Sequence, residues 1–150
     1  MRVIERHHKI RRECQALVAV LRCGEGRGLV ALRLIDDAGT AGEHFIPFTL
    51  HELPSQLGRD YSYAGLTAAL DRLLSLDVKR VLVQTDDPVL VQEIEKRVDP
   101  HRDLTLPYIM LGCKLNEFAS AKLVAVPPER LAALRAKASA LASTVYKSVA

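Results

Sequence analysis

From Tyr61 onward the apolar positions recur at helical spacing, with Leu66, Ala69, Leu70, Leu73 and Leu74 on one stripe. A stripe of that width calls for a flat apolar surface, so the spacing predicts a helix laid on a sheet. Val78 to Thr85 is a short β-branched run, too brief for a helix of its own, and it predicts a strand buried on both faces. Asp86 closes that strand. Asp87-Pro88 then signals a helix start, because a carboxylate can cap free amides and proline loses nothing at the first helical position. That helix is expected to run on to Val98.

Upstream, Cys14–Arg22, Leu29–Ile35 and Glu43–Phe48 read as three strands. The glycines between 24 and 28 and the Asp36-Asp37-Ala38-Gly39 stretch supply their turns, so the three form an antiparallel meander. Residues 49–60 carry Pro54 and Gly58 and break the periodicity, as a connection into the central helix would. Downstream, Thr105 and Pro107 open a helix reaching Phe118, and Ala121–Val126 is a further strand ended by Pro127-Pro128. The run from Glu129, ERLAALRAKASALAS, is a last helix with Leu131, Leu134, Ala138 and Leu141 on its stripe. The order βββαβααβα predicts one mixed sheet, with an antiparallel edge and parallel strands crossed by helices.

At 150 residues, 49% hydrophobic and 26% charged, the chain fits one domain with a sizeable core. Charge changes this picture in one place. Arg2, Arg6, Lys9, Arg11 and Arg12 against Glu5 and Glu13 account for the whole formal charge of +3, leaving the body neutral. The expected organisation is a basic arm over 1–13 and a single domain over 14–150. Arg6, Lys9, Arg11 and Arg12 are candidates for nucleic-acid contact, since basic side chains gain affinity by releasing counterions from phosphates; a solvated terminus is the competing reading. No apolar run approaches the ~20 residues of a membrane span, and no signal-type core follows the basic start, so a cytoplasmic protein is expected.

Candidate chemistry is sparse. Cys14, Cys23 and Cys113 are odd in number and far apart, which points to free thiols rather than disulfides or zinc. Gly24-Glu25-Gly26-Arg27-Gly28 lacks the Gly-Lys-Ser/Thr ending of a phosphate loop and reads as a hairpin turn. His7 and His8 have no partner acid or cysteine nearby. His51-Glu52 is a minor acid–base candidate.

The central unit resembles the ribonuclease H family. There a helix opening Ala-Glu-Tyr-x-Ala-Leu precedes a strand ending Asp-Ser; here Tyr61-Ser62-Tyr63-Ala64-Gly65-Leu66 and Asp86-Asp87 fall at those places. The order of elements and Val126-Pro127 before the last helix extend the likeness. The resemblance implies a ribonuclease H-like five-stranded mixed sheet, antiparallel meander plus parallel strands, flanked by helices. It also implies several carboxylates around two divalent ions, which stabilise both oxygens of a phosphodiester displacement.

Asp86 matches one such metal ligand, and is the candidate catalytic and metal-binding residue. Its competing role is a turn aspartate capping the next helix. The other ligand positions carry no acid: Cys23-Gly24 stands nearest the first-strand aspartate, Ser62 replaces the helix glutamate, and the last-helix aspartate falls near Arg135. The resemblance therefore implies a catalytically degenerate domain that binds nucleic acid, as RNA–DNA hybrid or duplex, or a protein partner. No cofactor is expected of it. The alternative is an active nuclease that needs magnesium and recruits relocated acids, for which Glu25, Asp36 and Glu43 are available. A third reading, a small-molecule-binding domain, requires a closed apolar pocket beside the sheet.

Overall fold

Alternation sets the left half of the sheet. In β1 (Glu13–Gly24) the residues Ala16 and Val18 turn to one face while Leu17 and Ala19 turn to the other, as successive strand residues must. β1 pairs antiparallel with β2 (Arg27–Asp36), and β2 with β3 (Ala41–Thr49), which is the expected meander. β4 (Arg80–Thr85) and β5 (Ser120–Ala125) add in parallel on the far side of β1, giving the five-stranded order β3-β2-β1-β4-β5. The computed structural model describes residues 13–39, 41–50, 58–96 and 98–147. Arg6, Lys9, Arg11 and Arg12 lie outside the described residues, as do His7, His8, His51 and Glu52.

Helices cover both faces, because both faces are apolar. α1 (Asp60–Ser75), α2 (Pro88–Ile94) and α3 (Thr105–Asn116) enclose the larger core, in which Leu66, Leu70 and Leu73 meet Val18, Val30 and Leu32. Each such leucine contributes about 1.5–3 kcal/mol by leaving water. Gly65 lets α1 lie close on β1, since a Cβ there would come 2.6 Å from Val20 Cγ1. α4 (Ala132–Lys147), led in by a 3-10 turn at Pro128–Leu131, covers the opposite face with Leu131, Leu134 and Ala138 against Ala19, Leu29 and Ala31. Leu141 is not part of that stripe and is 37% exposed; Ala142 packs there instead.

Two element ends differ from the pattern reading. α1 closes with Asp77 N bonded to Leu74 O and Val78 N to Leu73 O, and Asp77 takes φ 63°. That left-handed cap consumes Val78, so β4 starts only at Arg80. α2 stops at Ile94 rather than Val98, because Lys96 turns left-handed at φ 66° and bonds back to Glu93 O. No helix among the described residues is long and apolar enough to cross a membrane.

Candidate functional site

β1 has an antiparallel neighbour on one side and a parallel one on the other, and the chain leaves in opposite directions from this point. Open α/β sheets place ligands outside the carboxyl ends of strands at such a switch. β1 runs on past its last pairing with β4, Leu17↔Gln84, and Asp86 follows the end of β4 there. Arg135, from α4, fills the junction. Its Nη2 donates to both oxygens of Asp86, at 3.1 and 2.9 Å, and its Nη1 donates to the Val20 carbonyl at 2.8 Å. One guanidinium thus ties together α4, β1 and the end of β4. Asp86 does not cap the next helix; Asp87 does, accepting from Leu90 N at 3.1 Å with Pro88 in the first turn.

A second ion pair fixes the helices beside this junction. Glu93 of α2 is 3% exposed and receives Arg59 at 2.9 and 2.7 Å and the Tyr63 hydroxyl at 2.6 Å. The Arg59 hydrogen bonds hold the Glu93 carboxyl below its ordinary value, against the opposing effect of burial. Burial first, then the bond to Glu93, pushes the Tyr63 phenol well up, so it remains a donor. The network joins the residue before α1 to α2, and it holds the first turn of α1 in place.

The β1–β2 hairpin tip stands at the same end of the sheet, beyond Val20. Tyr61, in the first turn of α1, accepts from Gly26 N at 2.7 Å and donates to Gly24 O at 3.1 Å. Tyr146, near the end of α4, donates to Gly28 O at 2.7 Å. The hairpin is pinned from both faces of the sheet. Each tyrosine also carries an arginine over its ring, Arg22 on Tyr61 at 4.8 Å and Arg27 on Tyr146 at 5.3 Å.

The sequence candidates do not gather around Asp86. Glu25 is exposed at the hairpin tip. Asp36 ends β2 opposite Cys14, at the other end of β1, and accepts from Ala38 N at 3.0 Å. Glu43 is held by Lys137 at 3.1 Å and by Arg33 at 3.6 Å. Ser62 lies in the first turn of α1, and Cys23 turns to the α4 face. Among the described residues no three His, Cys, Asp or Glu side chains group so as to hold a metal. The donor set does not fit the divalent ions that the family resemblance implies: a hard cation needs several anionic oxygens, and both oxygens of Asp86 face a guanidinium.

A groove of about 660 Å³ lies elsewhere, between β3, α1 and α3, lined by Phe48, Leu50, Ala64, Met110 and Lys114 among others. It is not the closed apolar pocket that a small-molecule reading requires, since Leu106 and Met110 on its wall are about half exposed, 54% and 49%.

Solved structures with this architecture share one fold. RNase H1 from the halophilic archaeon Halobacterium salinarum superposes with a TM-score of 0.65 at 18% identity, over 83% of this chain and 92% of that one. The N-terminal RNase H domain of a Mycobacterium tuberculosis protein gives 0.64 at 18% identity, over 91% of this chain and 99% of that one. LC11-RNase H1, solved in complex with an RNA/DNA hybrid, gives 0.61 at 15% identity, over 81% and 91%. No protein-family model and no curated protein matches the sequence. At these identities the likeness is one of architecture, and the chain has the ribonuclease H-like fold.

Sequence reasoning placed Arg135 near the family's last-helix acid position but missed it as the partner of Asp86. Arg135 lies one turn after Leu131 and one turn before Ala138, so a cation sits on the sheet-facing stripe of the last helix. A charge on an apolar stripe requires a partner, and Asp86 was the acid at the strand end it faces.

Proposed function

We propose that this chain is a catalytically silent ribonuclease H-like domain that binds a nucleic-acid duplex. The observation that carries this reading is the Arg135–Asp86 pair, which sets a fixed positive charge against the one carboxylate that matches a family metal ligand. A guanidinium cannot generate a nucleophilic hydroxide or exchange ligands as a metal does, so the junction retains the geometry of the edge without the means of hydrolysis. Duplex binding is supported by the basic residues Arg6, Lys9, Arg11 and Arg12, by Arg22 and Arg27 at the same edge as Asp86, and by the hybrid complex of the LC11 neighbour. The same reading carries the expectation of a cytoplasmic protein.

The test is to incubate the full chain with a labelled RNA–DNA hybrid and magnesium, following both retention and cleavage. Retention of intact hybrid is the expected result. Magnesium-dependent cleavage that disappears in Asp86→Ala would overturn silence in favour of an active nuclease. Failure to retain any hybrid at low salt would overturn duplex binding and leave a protein partner as the better account.

A further inference from the structure

We infer that the β1–β2 hairpin tip is a two-point phosphate clamp, in which Arg22 and Arg27 each grip a backbone phosphate of a duplex lying across the carboxyl edge of the sheet. This rests on the duplex-binding reading and assigns its contact residues.

The two side chains leave neighbouring rungs of the hairpin, since Arg22 pairs with Gly28 and Arg27 with Gly24. They leave on opposite faces. Arg22 continues the row of Ala16, Val18 and Val20 toward α1, whereas Arg27 continues the row of Leu29 and Ala31 toward α4. The tip is thereby straddled by positive charge. Both guanidinium groups are also held before any ligand arrives. Each lies over a tyrosine ring whose hydroxyl is bonded to the backbone of the same hairpin, so ring, turn and cation form one body.

A guanidinium that lies over a ring can still offer its N–H groups to phosphate oxygens in pairs. The cost of ordering a long side chain is then met in folding rather than in binding. Gly24 takes part, because a Cβ there would stand 3.2 Å from Arg27 Nη2 and crowd the cation.

Arg33, Arg59, Arg80 and Arg135 each have a carboxylate partner, but among the described residues Arg22 and Arg27 form no ion pair. Glu25 lies between them in sequence and is exposed, yet it pairs with neither among the described residues. Two guanidiniums over tyrosine rings, without an ion pair among the described residues, stand at the rim of the switch point, where a polyanion backbone would engage them.

The experiment measures anisotropy of a labelled RNA–DNA hybrid against salt, with the basic arm left intact in every protein. Neutralising both arginines in R22Q/R27Q is expected to reduce the slope of log K against log salt by about 1.8, from about 0.9 per phosphate contact, and to weaken binding tens-fold at about 0.1 M salt. Each single variant is expected to remove about half of that change, so the result does not hang on the double variant folding. The charge-retaining R22K/R27K should keep the wild-type slope. Wild-type binding with an unchanged slope in R22Q, R27Q and the pair would overturn the clamp while leaving duplex binding in place. A lysine pair that loses slope as the glutamine pair does would also overturn it. Absence of hybrid binding by the wild-type chain overturns the duplex reading and the clamp together.

Discussion

Replacing Arg135 by methionine keeps most of the side-chain stem but deletes three hydrogen bonds, two to Asp86 and one to Val20 O. The pair is neither surface nor core, with side chains 38% and 19% exposed. Exposed pairs are worth about 0–1 kcal/mol and breaking a buried one costs about 3–5 kcal/mol. An intermediate pair discounted for solvent is therefore worth about 1–2 kcal/mol. The orphaned Val20 carbonyl adds about 1 kcal/mol, so R135M should lose about 2–3 kcal/mol. For a domain of this size that lowers Tm by about 6–9 °C. D86N should lose less, about 0.5–1.5 kcal/mol, because its amide oxygen still accepts and Arg135 keeps the Val20 bond. Urea unfolding of the two single variants and the double variant closes a double-mutant cycle. A coupling of about 1–2 kcal/mol is expected; additivity within about 0.3–0.5 kcal/mol would refute a direct interaction between the two side chains.

Glu93 gives a pH dependence of definite sign. Its folded carboxyl is held below the ordinary value of 4.5, so the unfolded chain binds more protons near that pH and stability rises with pH. The stabilisation is fully present above the ordinary value and is lost as pH falls through the folded one; E93Q should flatten this acid limb of a Tm–pH curve, and an unchanged limb would count against the assignment. The glycines separate by space. Gly112, inside α3, has nothing within 4 Å of a built Cβ, so G112A should stabilise by about 0.5–1 kcal/mol, whereas G28A meets Phe48 Cζ at 2.3 Å and should cost about 1–3 kcal/mol in thermal unfolding. Burial, with Asp36 and Asp37 nearby, pushes the Cys14 thiol up to about 12, so alkylation at mild pH followed by mass mapping should label the exposed Cys113 and spare Cys14 until the chain is unfolded.

How much of this was legible in the chain depends on the range over which each feature is decided. The central helix, β4 and the Asp87-Pro88 start are set by neighbours within a turn or two, and Leu66, Leu70, Val81 and Leu90 are buried as their spacing requires. The meander and the parallel pair follow from short turns and crossing helices. The end of α2 was not legible, because Lys96 adopts a left-handed conformation that composition assigns to glycine or asparagine. The site was half legible. Asp86 announces itself at a strand end, but its partner is 49 residues away on another face of the sheet. The tyrosine pins join positions 37 and 118 apart, and no local period records such a bond.

The Arg135 bridge has a consequence for how the edge of this sheet responds to its surroundings. A bound ion is a separate molecule, and its occupancy rises and falls with its concentration. A guanidinium on α4 is part of the chain itself and is present once in every copy, at fixed stoichiometry. On the silent reading proposed above, chelators and magnesium depletion are expected to leave this junction unchanged. The charge balance at the carboxyl edge is then set within the chain, by the pairing of a side chain on α4 with one at the end of β4.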